Sequence, residues 1–337
     1  MKIAVIGAGS WGTALAKLLS ESSQAATENR QVYLWARSDN QAQAMNQDRE
    51  NKTYLPGVAL PDSLAITTDL AEAVTEASVI FFVNPSKVMR EMAERVKPYI
   101  AKGAILVSAA KGLEAKTYYR MSEILAQVMP EAGAVVALSG PNHAEEVALG
   151  SPAATVVASA NRTAAELVQT LLMTTAFRPY TNDDIIGVEL GGALKNIIAL
   201  CAGIAEGLGF GDNAKAALMT RGLVEIRRLG VAMGATNDTF SGMSGAGDLI
   251  VTCTSRHSRN RRAGLMLAAG QSMTEIQEGS KMVVEGIRAT EAAYELAQLH
   301  QIEMPITYEA YRVIYQGKDP KQAVLDLMTR GRTEENW

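Results

Sequence analysis

Met1-Lys2-Ile3-Ala4-Val5-Ile6-Gly7-Ala8-Gly9-Ser10-Trp11-Gly12 carries an apolar strand straight into G-x-G-x-x-G, and the amphipathic segment Thr13 to Leu19 follows it. This order predicts a strand, a tight glycine turn and a helix whose N-terminal amides face an anion. Gly7 allows the turn, Gly9 lets backbone approach a pyrophosphate, and Gly12 lets the new helix lie close on its strand. A bound dinucleotide is the expected ligand.

Behind this opening, short β-branched runs alternate with helical stretches up to about residue 185: Val32 to Trp35, Val79 to Val83, Ile105 to Ser108, Val135 to Leu138 and Thr155 to Ala158. That alternation predicts a doubly wound, mostly parallel sheet with crossover helices, a Rossmann domain over residues 1–186. Val79-Ile80-Phe81-Phe82-Val83 lacks polar alternation, as expected of a strand covered on both faces. Past Ile185 strand signals vanish. Ala, Leu and Met recur there at helical spacing between glycine breaks at Gly207 to Gly211, Gly242 to Gly247 and Gly270, so residues 187–337 should form an all-α second domain. Ser272 with Glu275 suggests a capping box, and Pro305 separates two late helices.

The chain has 337 residues, 47 % of them apolar and 20 % charged, which is enough to bury a core in each of two domains. A net charge of −4 argues against a nucleic-acid partner. No apolar run is read as reaching the roughly 18 residues of a membrane span. No signal-peptide core follows Lys2, so a cytoplasmic location is expected, with a homodimer as the open assembly state. Cys201 and Cys253 sit in apolar segments without metal-ligand spacing and are expected to be reduced core thiols.

In an NAD-binding unit an acid at the end of the second strand usually holds the ribose 2′-hydroxyl. Here that strand ends Trp35-Ala36-Arg37-Ser38, and Asp39 comes late. Arg37 suits a 2′-phosphate by charge and fork geometry, so NADP(H) is favoured, with NAD(H) as the alternative.

Between Glu189 and Glu206 the only ionisable side chain besides the Cys201 thiol is Lys195. Desolvation in so apolar a segment should lower its pKa toward neutrality, where a lysine can exchange a proton. Gly191, one turn earlier, would leave space for a ligand beside it. A second cluster begins Gly242-Met243-Ser244-Gly245-Ala246-Gly247-Asp248 and continues to Arg256, Ser258, Arg259, Asn260, Arg261 and Arg262, an anion site in a slightly acidic chain. Asp248 is read as orienting Lys195, accepting a substrate hydroxyl or capping a helix. Two loops at carboxyl ends of strands complete the set: one carries Lys111, the other Gly140, Asn142 and His143. His143 has no carboxylate placed by spacing and is read as structural.

Gly7-Ala8-Gly9-Ser10-Trp11-Gly12, Lys111-Gly112, Gly140-Pro141, Leu194-Lys195-Asn196, Gly209-Phe210-Gly211-Asp212-Asn213, Gly247-Asp248 and Ser258-Arg259-Asn260 together resemble the bacterial-type NAD(P)-dependent glycerol-3-phosphate dehydrogenases, in order and approximate spacing over essentially the whole chain. The resemblance implies reduction of dihydroxyacetone phosphate to sn-glycerol 3-phosphate for glycerophospholipid synthesis. By matching position it implies coenzyme contacts from Ser10, Trp11, Arg37, Lys111, Ala144, Arg259, Val283 and Glu285. Substrate contacts would come from Lys111, Gly140, Lys195, Asp248, Ser258, Arg259 and Asn260, with Lys195 the catalytic acid/base. The family usually has Ser or Thr where this chain has Asn142, and the approach to Pro85 through Asn84 is also unusual. A 3-hydroxyacyl or 6-phosphogluconate-type dehydrogenase is the rival of the same class. The former predicts a histidine with a carboxylate partner, and His143, His257 and His300 are not so spaced. A non-catalytic NAD(P)H-binding redox sensor is the rival of a different class.

Overall fold

A computed structural model describes residues 1–22, 29–272, 275–276, 284–332 and 334–335. The strands are β1 (Lys2–Ile6), β2 (Gln31–Trp35), β3 (Glu50–Asn51), β4 (Leu55–Ala59), β5 (Leu64–Thr67), β6 (Val79–Phe82), β7 (Ile105–Ser108), β8 (Ala134–Ser139), β9 (Ala153–Ala158) and β10 (Phe177–Asn182). Eight of them form one sheet in the order β10-β9-β8-β7-β6-β1-β2-β5, while β3 and β4 pair as a separate hairpin.

Successive residues of the central strands enter two different cores, which is why these strands read as unbroken apolar runs. Ile3, Val5, Val79 and Phe81 pack on one face, and Ala4, Ile6, Ile80 and Phe82 on the other. Strand order reverses at β1, which has β2 on one side and β6 on the other, so a crevice opens between the carboxyl ends of β1 and β6. The glycine turn fills the start of that crevice. Gly7 adopts φ +119°, and a Cβ on Gly12 would lie 1.8 Å from the Gly7 carbonyl oxygen, so the helix Ser10–Glu21 approaches its strand as the motif predicts.

The sheet departs from the expected direction at one edge. β9 pairs with β8 antiparallel, and β10 then runs parallel to β9. A right-handed crossover needs a helix long enough to climb back over the sheet, and the β8–β9 connection holds only the five-residue helix Ala144–Ala148. β5 and β10 escape the sequence reading, the second because Phe-Arg-Pro-Tyr-Thr-Asn mixes polar residues and a proline into an edge strand.

No strand follows β10 among the described residues. The helix Ile185–Gly207 forms the centre of this part, with the helices Asp212–Ala232, Arg259–Ala268 and Glu285–His300 around it. Asp184 caps it by accepting from the Gly187 amide at 2.8 Å. It has 23 residues, and an 18-residue window within it has a mean hydropathy of 1.6, enough to cross a membrane by length and composition, contrary to the reading of the sequence, but most of that window is buried inside the protein. The late helices Pro305–Gln316 and Pro320–Met328 each place proline in the first turn, where its missing N–H costs nothing. Ser272 and Glu275 bond reciprocally, the Ser272 amide to Glu275 Oε2 at 2.7 Å and the Glu275 amide to Ser272 Oγ at 3.3 Å, as a capping box does.

Candidate active site

Lys195 sits midway along the central helix, 5 % exposed, with its ammonium against Asp248 and 2.5 Å from Thr252 Oγ1. Asp248, 1 % exposed, opens the helix Asp248–Thr254, and Thr252 lies one turn later on the same face. The Thr252 hydroxyl donates to the Asp248 carbonyl at 2.6 Å, so its lone pair faces the lysine. The other carboxylate oxygen of Asp248 accepts from Lys111 Nζ at 2.6 Å, and Lys111 also donates to the Gly140 carbonyl at 2.9 Å. One buried carboxylate therefore orients two ammonium groups, the first of the three roles open to Asp248 in the sequence. An ammonium has three N–H donors, so each lysine keeps one for a ligand.

Burial pushes the Lys195 amine down to about 7; neighbouring Asp248 acts the other way and Lys111 adds to the lowering. Burial alone would raise the Asp248 carboxyl, but Lys111 and Lys195 hold it below the usual carboxylate range. The apolar setting thus lowers the lysine in the direction expected from the sequence.

Gly191 does not open a ligand space. A Cβ there would lie 2.8 Å from the Ser244 carbonyl oxygen, so this glycine admits the π-helical turn Met243–Gly247, which delivers Asp248 to the lysine. Two turns before Lys195, buried Glu189 accepts from Arg120 Nη1 at 2.8 Å and from the Ser122 amide at 2.8 Å, pinning the central helix to the helix Met121–Val128. Thr252, Glu189, Arg120 and Ser122 were not singled out in the sequence. Only the four-residue step from Asp248 to Thr252 carried a signal.

The arginine cluster divides. Arg261 is spent on Glu206, donating through Nε at 2.9 Å and through Nη2, and belongs to the helix packing rather than to an anion site. Asn260 Nδ2 donates one of its two hydrogens to Asn196 Oδ1 at 2.8 Å, and Oδ1 accepts from the Gly286 amide at 2.8 Å. Its backbone N–H also lies in the first turn of the helix Arg259–Ala268, capped by Ser258 Oγ accepting from Arg261 N at 3.2 Å. Arg256, Arg259 and Arg262 are exposed. Arg259 is nonetheless surrounded closely enough that desolvation lowers its pKa, with Glu285 and Glu145 opposing.

At the glycine turn a Cβ on Gly9 would meet nothing within 4 Å, which leaves room for a ligand to approach the backbone. The turn is braced from outside the motif. Gln41 Nε2 and Asn51 Nδ2 donate to the Ala8 carbonyl at 2.7 and 3.1 Å, and Ser10 Oγ donates to the Tyr54 carbonyl at 2.6 Å. Trp11 is partly buried and packs at a tilt on Phe177, ring centroids 6.5 Å apart. Arg37 is exposed just past β2, whereas Asp39 accepts from Thr68 Oγ1 at 2.6 Å and starts the helix Asp39–Asp48. The turn, its helix and a cation at the end of β2 fit a dinucleotide.

Three further residues named in the sequence have structural ties. Ala144 is buried at the start of its short helix, and Asn142 Nδ2 donates to the Ala154 carbonyl at 2.8 Å, so one of its amide donors is already used. Glu285 accepts from Ser86 Oγ at 2.9 Å across the crevice. Val283 lies outside the described residues. His143 and His257 face each other at 5.8 Å between ring centroids, and neither ring bonds a carboxylate among the described residues. Burial, then Lys195, lowers the His143 pKa. Cys253 is buried and Cys201 half-buried; both are free thiols, and burial pushes both up to about 12.

A dinucleotide turn at the switch point of a doubly wound sheet, facing a buried lysine–aspartate pair from a helical partner, defines a nicotinamide-dependent oxidoreductase. Residues 2–165 match the N-terminal region, and residues 184–325 the C-terminal region, of NAD-dependent glycerol-3-phosphate dehydrogenase, and the chain belongs to that family. A glycerol-3-phosphate dehydrogenase (NAD(P)+) of Pelotomaculum thermopropionicum is 54 % identical over 339 residues, covering 99 % of this chain and 95 % of its own length. One from Moorella thermoacetica is 54 % identical over 333 residues, with 99 % and 97 % covered. The crystal structure of glycerol-3-phosphate dehydrogenase from Coxiella burnetii superposes with a TM-score of 0.90 at 40 % identity, covering 98 % of this chain and 99 % of that one. A ketopantoate reductase from Ralstonia eutropha, 15 % identical with a TM-score of 0.59, shares the fold alone.

Proposed function

We propose that this chain reduces dihydroxyacetone phosphate to sn-glycerol 3-phosphate, reversibly, with NADPH as the favoured coenzyme, and so feeds glycerophospholipid synthesis in the cytoplasm. The observation that carries the reading is the Lys195 ammonium, buried and held by Asp248 and Thr252 with one N–H to spare. Gly7, Gly9, Ser10, Trp11 and Gly12 would cradle the coenzyme, with Arg37, Lys111, Ala144, Arg259, Val283 and Glu285 around it. When bound, the reduced coenzyme supplies the hydride.

As charge grows on the C2 oxygen of the ketone, Lys195 delivers its proton there; in the oxidation direction neutral Lys195 removes one. Lys111, tied to Asp248 and the Gly140 carbonyl, adds a second N–H at the same oxygen or its neighbour. Asn142 contributes its remaining amide donor at the same loop. Ser258, Arg259 and Asn260 hold the phosphate, so that binding energy remote from the reacting carbon orients it. On this reading residues 1–186 bind coenzyme and residues 187–337 bind substrate, and no nucleic acid takes part.

The deciding assay follows NADPH and NADH absorbance in parallel, with and without dihydroxyacetone phosphate. Substrate-dependent oxidation is expected, faster with NADPH. Coenzyme binding without any substrate-dependent loss of absorbance would leave the sensor reading instead. Arg37→Ala should lower kcat/KM for NADPH about 10- to 100-fold, the loss of a charge-assisted contact, and leave NADH within about threefold. Equal losses with both coenzymes would remove Arg37 from the choice between them.

A further inference from the structure

Asn51, on β3, is 1 % exposed, and both hydrogens of its amide go to the flanks of the glycine turn. Nδ2 donates to the Ala8 carbonyl at 3.1 Å and to Thr13 Oγ1 at 2.8 Å, while Oδ1 accepts from the Tyr54 amide at 3.3 Å. Ala8 stands just before residues 9–12 and Thr13 just after them, so one buried side chain ties the two ends of that segment together. Gln41, on the helix Asp39–Asp48, brings a second donor to the same Ala8 carbonyl at 2.7 Å. Two donors fill both lone pairs of that oxygen, which pins the plane of the peptide as well as its position.

The Ala8 carbonyl is the acceptor that the Gly12 N–H would take if the helix Ser10–Glu21 began earlier. Held by two side chains instead, it stays out of the ladder, and the first bond into the helix is that of the Thr13 N–H to the Gly9 carbonyl at 3.0 Å. The N–H groups of residues 9–12 therefore have no backbone acceptor among the described residues. A trans peptide is planar, so turning the Ala8 carbonyl toward Gln41 and Asn51 turns the Gly9 N–H the opposite way. Gly9 is half-buried and a Cβ on it would meet nothing within 4 Å, so the backbone that carries this N–H borders open space.

We propose that Asn51 and Gln41 are positioning residues for the coenzyme: by pinning the peptide between Ala8 and Gly9 they aim the unpaired N–H groups of the turn at the pyrophosphate. Neither side chain needs to touch the ligand. Were that peptide to rotate, a carbonyl oxygen would face the phosphate in place of an N–H, and attraction would become repulsion. Asn51 also sets the width of the cradle, through its second bond to Thr13. The inference rests on the nicotinamide-coenzyme reading above and adds to it two residues that lie 33 and 43 positions beyond Ala8, outside G-x-G-x-x-G.

The test is a set of binding titrations on the full chain with NADP+, 2′,5′-ADP and 2′-AMP, alongside thermal melts of the ligand-free protein and kcat for dihydroxyacetone phosphate at saturating NADPH. 2′-AMP shares the adenosine and 2′-phosphate of the other two ligands but has no 5′-phosphate for the turn to hold. Gln41→Met keeps the length of the side chain and removes its donor. It should weaken NADP+ and 2′,5′-ADP about three- to tenfold, the worth of one neutral hydrogen bond, and leave 2′-AMP within about 1.5-fold. Asn51→Ala frees both flanks and should weaken the same two ligands about 10- to 100-fold, the range for a lost hydrogen bond to a charged group, again sparing 2′-AMP. The kcat should hold in both variants. Asn51→Ala lowers the Tm by opening a buried gap, whereas Gln41→Met leaves it in place; if Asn51→Ala does not fold, Gln41→Met decides. Unchanged NADP+ affinity in a folded variant, a loss shared equally by 2′-AMP, or a fall in kcat overturns the proposal and leaves the two side chains to packing alone. If the unaltered protein takes only NAD+, then NAD+, ADP and adenosine form the same series without the 2′-phosphate. Unaltered protein that binds neither NADP+ nor NAD+ overturns the coenzyme reading, and this one with it.

Discussion

Lys195→Met should lower kcat for ketone reduction about 10²- to 10⁴-fold, the range for losing a positioned proton donor, while the affinity for NADPH changes little. Methionine keeps the length and apolar contacts of the lysine stem and deletes only the ammonium, and Asp248 retains Lys111 as its counter-charge. The melting temperature should therefore hold or rise, because a costly buried amine is removed without stranding its partner. A second measurement separates proton transfer from simple charge stabilisation. The Lys195 amine titrates near 7, so reduction, which needs the protonated form, should fall as pH rises through that value, and oxidation, which needs the neutral form, should rise. In Lys195→Met both inflections should vanish from the residual activity. Wild-type turnover in that variant, or an unaltered pH profile, would take proton transfer away from this residue.

Much of that site was legible because its chemistry is written in local exceptions. Lys195 stands alone in an apolar helix, and Gly7 to Gly12 breaks a strand in one particular way. What was illegible depends on distance through space. Asp248 and Lys111 are 137 residues apart in the chain, and Glu189 meets Ser122 across 67, separations for which a single sequence has no pattern. The arginine cluster misled for a related reason. Its charges are adjacent in sequence, but helical geometry sends Arg261 to Glu206 while Arg259 lies near Glu285 and Glu145, so the four arginines do not form one anion site. The ties of the Asn260 side chain to Asn196 and Gly286 are likewise made across helices, where no local pattern announces them. The antiparallel turn of β9 was hidden because a short apolar run reads alike in either direction.

Gly264→Ala should be among the most disruptive single substitutions in the helical part, although neither it nor Gly203 touches the site. The central helix and the helix Arg259–Ala268 cross with backbone on backbone: a Cβ on Gly264 would lie 2.0 Å from the Leu200 carbonyl oxygen and 2.7 Å from the Ile204 amide nitrogen. The reciprocal Cβ on Gly203 would lie 1.9 Å from the Arg261 carbonyl oxygen. Backbone cannot swing aside as a side chain can, so the two helices must part by on the order of an ångström, opening the packing of Leu200, Ala263 and Leu267 around them. Overpacking of this kind costs about 1–3 kcal/mol and sometimes more, and Gly203→Ala should cost a similar amount. The crossing also sets where Ser258 and Arg259 stand relative to Lys195, and on the proposed function one helix would carry the phosphate grip and the other the proton. In whatever fraction remains folded, the KM for dihydroxyacetone phosphate should therefore rise while the Kd for NADPH, bound mainly at the sheet, changes less. Thermal melts and the two constants measured on one preparation check both halves of this expectation. A melting temperature equal to that of the unaltered protein would mean that the helices do not cross as closely as Gly203 and Gly264 require.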